Sequence, residues 1–197
     1  MNDSVSSTTP TDDAPGDLRA KSPYLLVSLV ILLFDQWSKW LVESHLGPHA
    51  QMEVIPGMLD FIHVRNTGVA FGLFAAHGDR SQTLLLLGLG LVALSFVGYY
   101  FWLVPKRERF LLWALALVLG GAIGNLIDRL AQGGVTDFID FYIGTWHWHT
   151  FNVADSAISV GIGLMILSAF FDHRPQQETA GPEDSEADAE AGTVPST

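Results

Sequence analysis

Four apolar windows, each close to the roughly 20 residues that carry an α-helix across the hydrocarbon core of a bilayer, limit what this chain can fold into. They are residues 24–42, 83–104, 110–130 and 153–171. The rest of the composition agrees: 49% of the 197 residues are hydrophobic, 16% are charged, and the mean hydropathy is +0.30, too apolar for an ordinary soluble domain. The expected fold class is an all-α integral membrane protein of four transmembrane helices. The first window does not read as a cleaved signal peptide. It follows an acidic leader, lacks a small-x-small cleavage site, and carries Asp35 and Lys39 within the same helix-length segment.

Charge is distributed unevenly. Residues 1–23 hold four acids against two bases and residues 172–197 hold seven against one, so the ends carry most of the net charge of −11. That balance argues against nucleic acid as a partner. Both ends are rich in Ser, Thr, Pro, Ala, Asp and Glu and are expected to be disordered, which divides the chain into a tail at 1–22, a membrane domain at 23–173 and an acidic tail at 174–197. Cationic residues gather on the cytoplasmic side of short loops. Arg19 and Lys21 precede the first span, Lys106, Arg107 and Arg109 sit between the second and third, and Arg174 follows the fourth. Both termini are therefore expected in the cytoplasm, with the connections 43–82 and 131–152 outside. The first of these contains MEVIPGMLDFIHVRNTG, whose β-branched residues and Pro-Gly turn suggest short strands against the membrane surface. The second contains FYIGTWHWHTF, with the composition of an interfacial aromatic belt. His147 and His149 are a weak metal signal without further ligands, and nothing else in the sequence calls for a metal or a cofactor.

Depth can be counted at about 1.5 Å per helical residue. Asp35 in the first span falls past the midplane and Lys39 approaches the outer boundary, Asn125, Asp128 and Arg129 in the third and Asn152 and Asp155 at the head of the fourth lie near that boundary, and RNTG at 65–68 and VTDFID at 135–140 lie just beyond it. Ionisable residues inside spans are costly and mark functional interiors. Each has a plainer explanation. Asp35 and Lys39 are an i, i+4 pair, Asp128 can be a structural charge partner of Arg129 or Lys39, Asp137 and Asp140 can be solvated loop acids, and Asp155 can be a first-turn acid favoured by the helix dipole. Their shared depth favours a site. The inner halves of the spans carry essentially no charge, which argues against an ion path across the bilayer.

There is no cysteine, hence no thiolate nucleophile, and no H-E-x-x-H or nucleophile-elbow pattern. A serine hydrolase would have to use Ser156 with His147 or His149. Paired carboxylates are what the sequence offers: two acids held close together share a proton, one activating water and the other protonating the carbonyl or leaving group. A transporter or lipid-binding scaffold whose acids bind a cation is the alternative from a different functional class.

Five segments, DQWSK at 35–39, NTGVAFGLF at 66–74, GGAIGNLIDRL at 120–130, VTDFIDFY at 135–142 and FNVADSAISVG at 151–161, closely resemble the lipoprotein signal peptidases of bacteria, also called signal peptidase II. They lie in that family's order and spacing from residue 24 to 171; Thr136 stands where valine is common. The resemblance implies a four-helix aspartyl endopeptidase of the cytoplasmic (inner) membrane with a small extracytoplasmic β-rich cradle. Its substrates are diacylglyceryl-modified prolipoproteins, cut just before the lipidated cysteine. Membrane lipid is its surroundings, and the cyclic peptide globomycin an expected inhibitor. By motif, the catalytic pair is Asp137 and Asp155. Asp35, Lys39, Asn66, Gly68, Asn125, Asp128, Arg129 and Asn152 are supporting residues, with Asp128 structural and Asn66 donating to the substrate chain.

Overall fold

The computed structural model describes residues 18–68 and 80–171. Among them are four helices, α1 (Ser22–His45), α2 (Arg80–Leu103), α3 (Arg109–Gln132) and α4 (Val153–Phe171), and four strands, β1 (Gln51–Ile55), β2 (Leu59–Asn66), β3 (Val135–Ile143) and β4 (Trp146–His147). All four helices are long and apolar enough to cross a membrane. The first three extend a few residues beyond an apolar window, because hydrogen bonding continues into polar ends. α1 starts at Ser22 with a proline in its first turn, where the missing N–H costs nothing. Of the expected tails, residues 1–17 and 174–197 lie outside the described residues, as does most of NTGVAFGLF.

Where α1 begins, Lys21 is buried. Its Nζ donates to Phe101 O and Trp102 O, both at 2.7 Å, and so satisfies carbonyls that α2 leaves without helical partners. A cation at a helix C-terminus is also favoured by the dipole. This contact joins the start of α1 to the end of α2.

α3 packs against each of the other helices, and small residues let it do so. A Cβ at Gly120 would lie 2.6 Å from Ser28 O on α1, one at Gly124 would lie 2.5 Å from Asp35 Oδ2, and one at Gly121 would strike the carbonyl of Ala154 on α4. Apolar association between helices in lipid depends on such close approach. Ala114, Leu115 and Ala116 are fully enclosed, and Ser28 Oγ crosses to Ala116 O at 2.8 Å.

The strands form one antiparallel sheet in the order β1-β2-β3-β4. β2 and β3 pack on α1, and β3 also on α3. The connection 131–152, read from sequence as an aromatic loop, thus supplies a nine-residue strand. Regular alternation fails there for a physical reason. The consecutive amides of Phe138 and Ile139 both donate to Phe151 O, at 3.1 and 2.8 Å, which is a β-bulge. Phe138 and Ile139 line a common apolar groove, while Asp137 and Asp140 both line a cleft elsewhere. The bulge converts acids of opposite parity into neighbours on one side of the sheet.

Candidate active site

The site forms where α1 and α3 end, α4 begins and β3 crosses. Asn152 is its joint. As the residue before α4, it accepts from Asp155 N on Oδ1 (2.9 Å), and Asp155 Oδ2 accepts in return from Asn152 N (3.4 Å). This reciprocal arrangement is a capping box. Asn152 Nδ2 then donates to Asp137 Oδ1 at 2.7 Å. One amide therefore caps the helix that carries the first acid and holds the second acid by its carboxyl. Both acids line a cavity of about 300 Å³, with Asn66, Asn125 and Arg129 in its wall.

Each carboxyl has a second amide. Asn66 Nδ2 donates to Asp137 Oδ2 at 2.9 Å, and Asn125 Nδ2 donates to Asp155 Oδ1 at 2.7 Å. The Asn66 amide reaches Asp137 because β2 pairs with β3 and sets Asn66 opposite Val135. Its Oδ1 accepts from Gly68 N at 2.9 Å. Asp137 is buried, and its pKa is raised from 3.8 to about 6. Burial is the main cause and the charge of Asp155 adds to it, partly offset by the bonds from Asn66 and Asn152 and by the charge of Lys39.

Beneath the acids lies a buried charge network. Lys39 Nζ is 2.7 Å from Asp35 Oδ2 and 2.7 Å from Asp128 Oδ2, and donates to Asn125 Oδ1 at 3.1 Å. Of the two partners expected for Asp128, Lys39 is the one it meets. Asp35 Oδ1 accepts from Ala154 N at 2.8 Å, so α1 serves a helix-end amide of α4 while its lysine braces Asn125. Buried charges need opposite charges and hydrogen bonds of this kind. Arg129 donates to Asn125 O and Gly68 O, both at 3.4 Å, tying α3 to the segment after β2. All ten residues selected from the sequence fall in this connected assembly.

Three further members, Gln36, Thr136 and Glu43, are not marked as site residues by the sequence. Gln36 Nε2 donates to Asp128 Oδ1 at 2.8 Å and to Gly124 O at 3.3 Å; a glutamine beside Asp35 in an apolar span was the available signal. Thr136, fully buried beside Asp137, donates its hydroxyl to Glu43 Oε1 at 2.5 Å. Glu43 lies one turn beyond Lys39, and Thr136 was noticed only as a departure from valine. The serine alternative finds little support in the geometry: Ser156 Oγ donates to Asn152 O at 2.9 Å, while His147 Nδ1 faces Asp140 Oδ2 at 3.0 Å and His149 Nδ1 faces Thr150 O at 2.8 Å.

Four helices long and apolar enough to span a membrane, joined to a small antiparallel sheet, are an architecture this chain shares with a membrane enzyme. A solved bacterial membrane enzyme matches with a TM-score of 0.68 and 28% identity, covering 86% of this chain and 98% of its own. A family model for signal peptidase (SPase) II matches residues 27–171, and the chain belongs to that family. It is 42% identical over 164 residues to a lipoprotein signal peptidase of Solibacter usitatus (strain Ellin6076), covering 83% of this chain and 97% of the relative. It is 41% identical over 151 residues to one of Halalkalibacterium halodurans, covering 77% and 94%. Family membership decides for a peptidase over a transporter or scaffold.

Proposed function

We propose that the protein removes signal peptides from diacylglyceryl-modified prolipoproteins, cutting just before the lipidated cysteine by two-carboxylate activation of water. The observation that carries this reading is the single amide of Asn152 held between Asp137 and Asp155. Asp137, which keeps its proton up to about pH 6, acts as the general acid. Asp155, whose oxygens accept from Asn125 Nδ2 and Asn152 N, is the base. Water between them gives a proton to Asp155 as it attacks the scissile carbonyl, and the carbonyl oxygen takes the proton of Asp137. The proton held by Asp155 then passes to the departing amine as the C–N bond breaks, while a hydroxyl of the tetrahedral intermediate returns its proton to Asp137. Asn66, Asn125 and Asn152 fix the two carboxyls against the sheet and α3, and Arg129 ties α3 to the segment after β2. Lys39 with Asp35, and Asp128 with Gln36, hold α1, α3 and α4 in register beneath them.

Residues 23–173 form the peptidase unit in this proposal, in the bacterial inner membrane with both termini cytoplasmic. Lys106, Arg107 and Arg109 lie around the start of α3, the end of the bundle opposite the sheet, and cationic loops face the cytoplasm. The sheet and the acids then occupy the extracytoplasmic face, level with the first peptide bonds of a lipid-anchored substrate. Globomycin, as a cyclic peptide, is expected to compete in the same cavity.

The test is cleavage by purified protein in lipid nanodiscs of one prolipoprotein, with and without its diacylglyceryl group, the product's N-terminus being read by mass spectrometry. The expected result is a new terminus at the lipidated cysteine from the modified substrate alone. Failure of folded protein to cut several lipidated substrates would overturn the reading.

A further inference from the structure

The sheet has two unlike faces. Cross-strand partners share a face, and one set of partners reads Met52, Phe61 and Ile139, then Ile55, Leu59 and Phe141, then Ile143 and Trp146. The other reads Glu53, Asp60 and Asp140, then Tyr142 and His147. The apolar face does not close against the bundle. Met52, Phe61 and Ile139 roof a groove of about 590 Å³ whose floor is α1, including Trp37 and Leu41, and whose lining is almost wholly apolar.

From this geometry we infer that the groove is a binding site for one acyl chain of a bilayer phospholipid, distinct from the cavity that holds Asp137 and Asp155. Three observations select that occupant. The floor is continuous with the outward row of α1, where Leu26, Val30 and Leu33 are more than half exposed and meet hydrocarbon once α1 spans a bilayer. The stretch of α1 in the groove, from Phe34 to His45, rises about 16 Å, close to half of the roughly 30 Å hydrocarbon thickness and so to one leaflet. The lining provides almost no partner for peptide N–H and C=O groups, which are costly to bury unpaired, whereas an acyl chain requires none. The substrate's own chains are the less suitable source, because the bulge turns Phe138 and Ile139 to the groove and Asp137 to the cleft elsewhere.

This inference requires only that α1 spans a bilayer, not that the peptidase chemistry is as described above. The experiment uses the native chain in nanodiscs containing a trace of phosphatidylethanolamine with a diazirine on one acyl chain, and maps photoadducts by peptide mass spectrometry. Adducts at Met52, Phe61 or Leu41 should exceed those at Val92 and Phe96, on the exposed surface of α2, by about tenfold, the excess for a site about 1.4 kcal/mol tighter than lipid contact in general. A second arm carries the diazirine on the diacylglyceryl group of a prolipoprotein, held uncleaved by Asp137→Asn. Equal labelling of the groove and α2 by the phospholipid overturns the site, and groove labelling by the substrate's chain alone overturns the choice of occupant.

Discussion

Replacing Asp137 with asparagine removes an acid whose ionisation the fold resists, and stability should register this as a pH-dependent gain. Asp137 is 2% exposed, and burial, with the charge of Asp155, moves its pKa from 3.8 to about 6. A group that holds its proton more tightly when folded stabilises the fold below its unfolded pKa and loses that contribution as pH rises through its folded pKa. For Asp137 the window runs from pH 3.8 to about 6, and at about 1.36 kcal/mol per pH unit the loss is about 3 kcal/mol. Asparagine escapes that loss but carries a mismatch. Its Nδ2 must face a donor amide, Asn66 or Asn152, where the carboxylate accepted from both, at a cost of about 1–3 kcal/mol. The mismatch is independent of pH, so it cancels when the difference between variant and wild type is compared at about pH 3.5 and about pH 7.5. That difference should move by about 3 kcal/mol toward the variant, or about 6–12 °C in Tm at about 2–4 °C per kcal/mol for a chain of this length. Thermal unfolding in mixed lipid-detergent micelles, followed by tryptophan fluorescence, measures it. A Tm difference equal within about 2 °C at the two pH values would show that Asp137 ionises without penalty and refute the reasoning.

Lys39→Met leaves Asp35 and Asp128 buried without their shared cation and should lower stability by about 3–5 kcal/mol, read as a fall in Tm. Asn152→Ser keeps a good helix cap but withdraws the buried donor from Asp137; turnover should collapse with a stability loss of about 1–3 kcal/mol, and Asn152→Ala should lose about 1 kcal/mol more. Gly124→Ala places a methyl 2.5 Å from Asp35 Oδ2 and should cost about 1–3 kcal/mol by overpacking, together with activity. Gly163→Ala, where an added Cβ meets nothing within 4 Å, is the matched control for both readouts.

The helices were legible because hydrocarbon imposes a length and a composition that a linear sequence displays directly. Convergence of the polar residues was legible as depth, since rise per residue is constant, and the five motifs then singled out Asp137 and Asp155 among several acids. What depth does not encode is direction. Asn152 and Asp155 have the spacing of a helix cap, and the structure shows that they form one; capping leaves the Nδ2 group of Asn152 available, and only the return of β3 brings Asp137 to it. The strand itself was obscured by its bulge, which sets acids three residues apart on the same side and so breaks the alternation by which a half-buried strand is recognised. The bond from Asn66 to Asp137 is not legible locally, because the pairing of β2 with β3 joins segments about 70 residues apart. Thr136 and Glu43 stand 93 residues apart in sequence and are meaningful only as a contact.

The central claim is that Asp137 and Asp155 together perform the hydrolysis, and turnover of one lipidated prolipoprotein by wild type, Asp137→Asn and Asp155→Asn, each shown folded by its thermal transition, tests it most directly. Each substitution should reduce the rate by at least about a hundredfold, the lower range for loss of a general acid or base. Near wild-type turnover in either folded variant would contradict the two-carboxylate site.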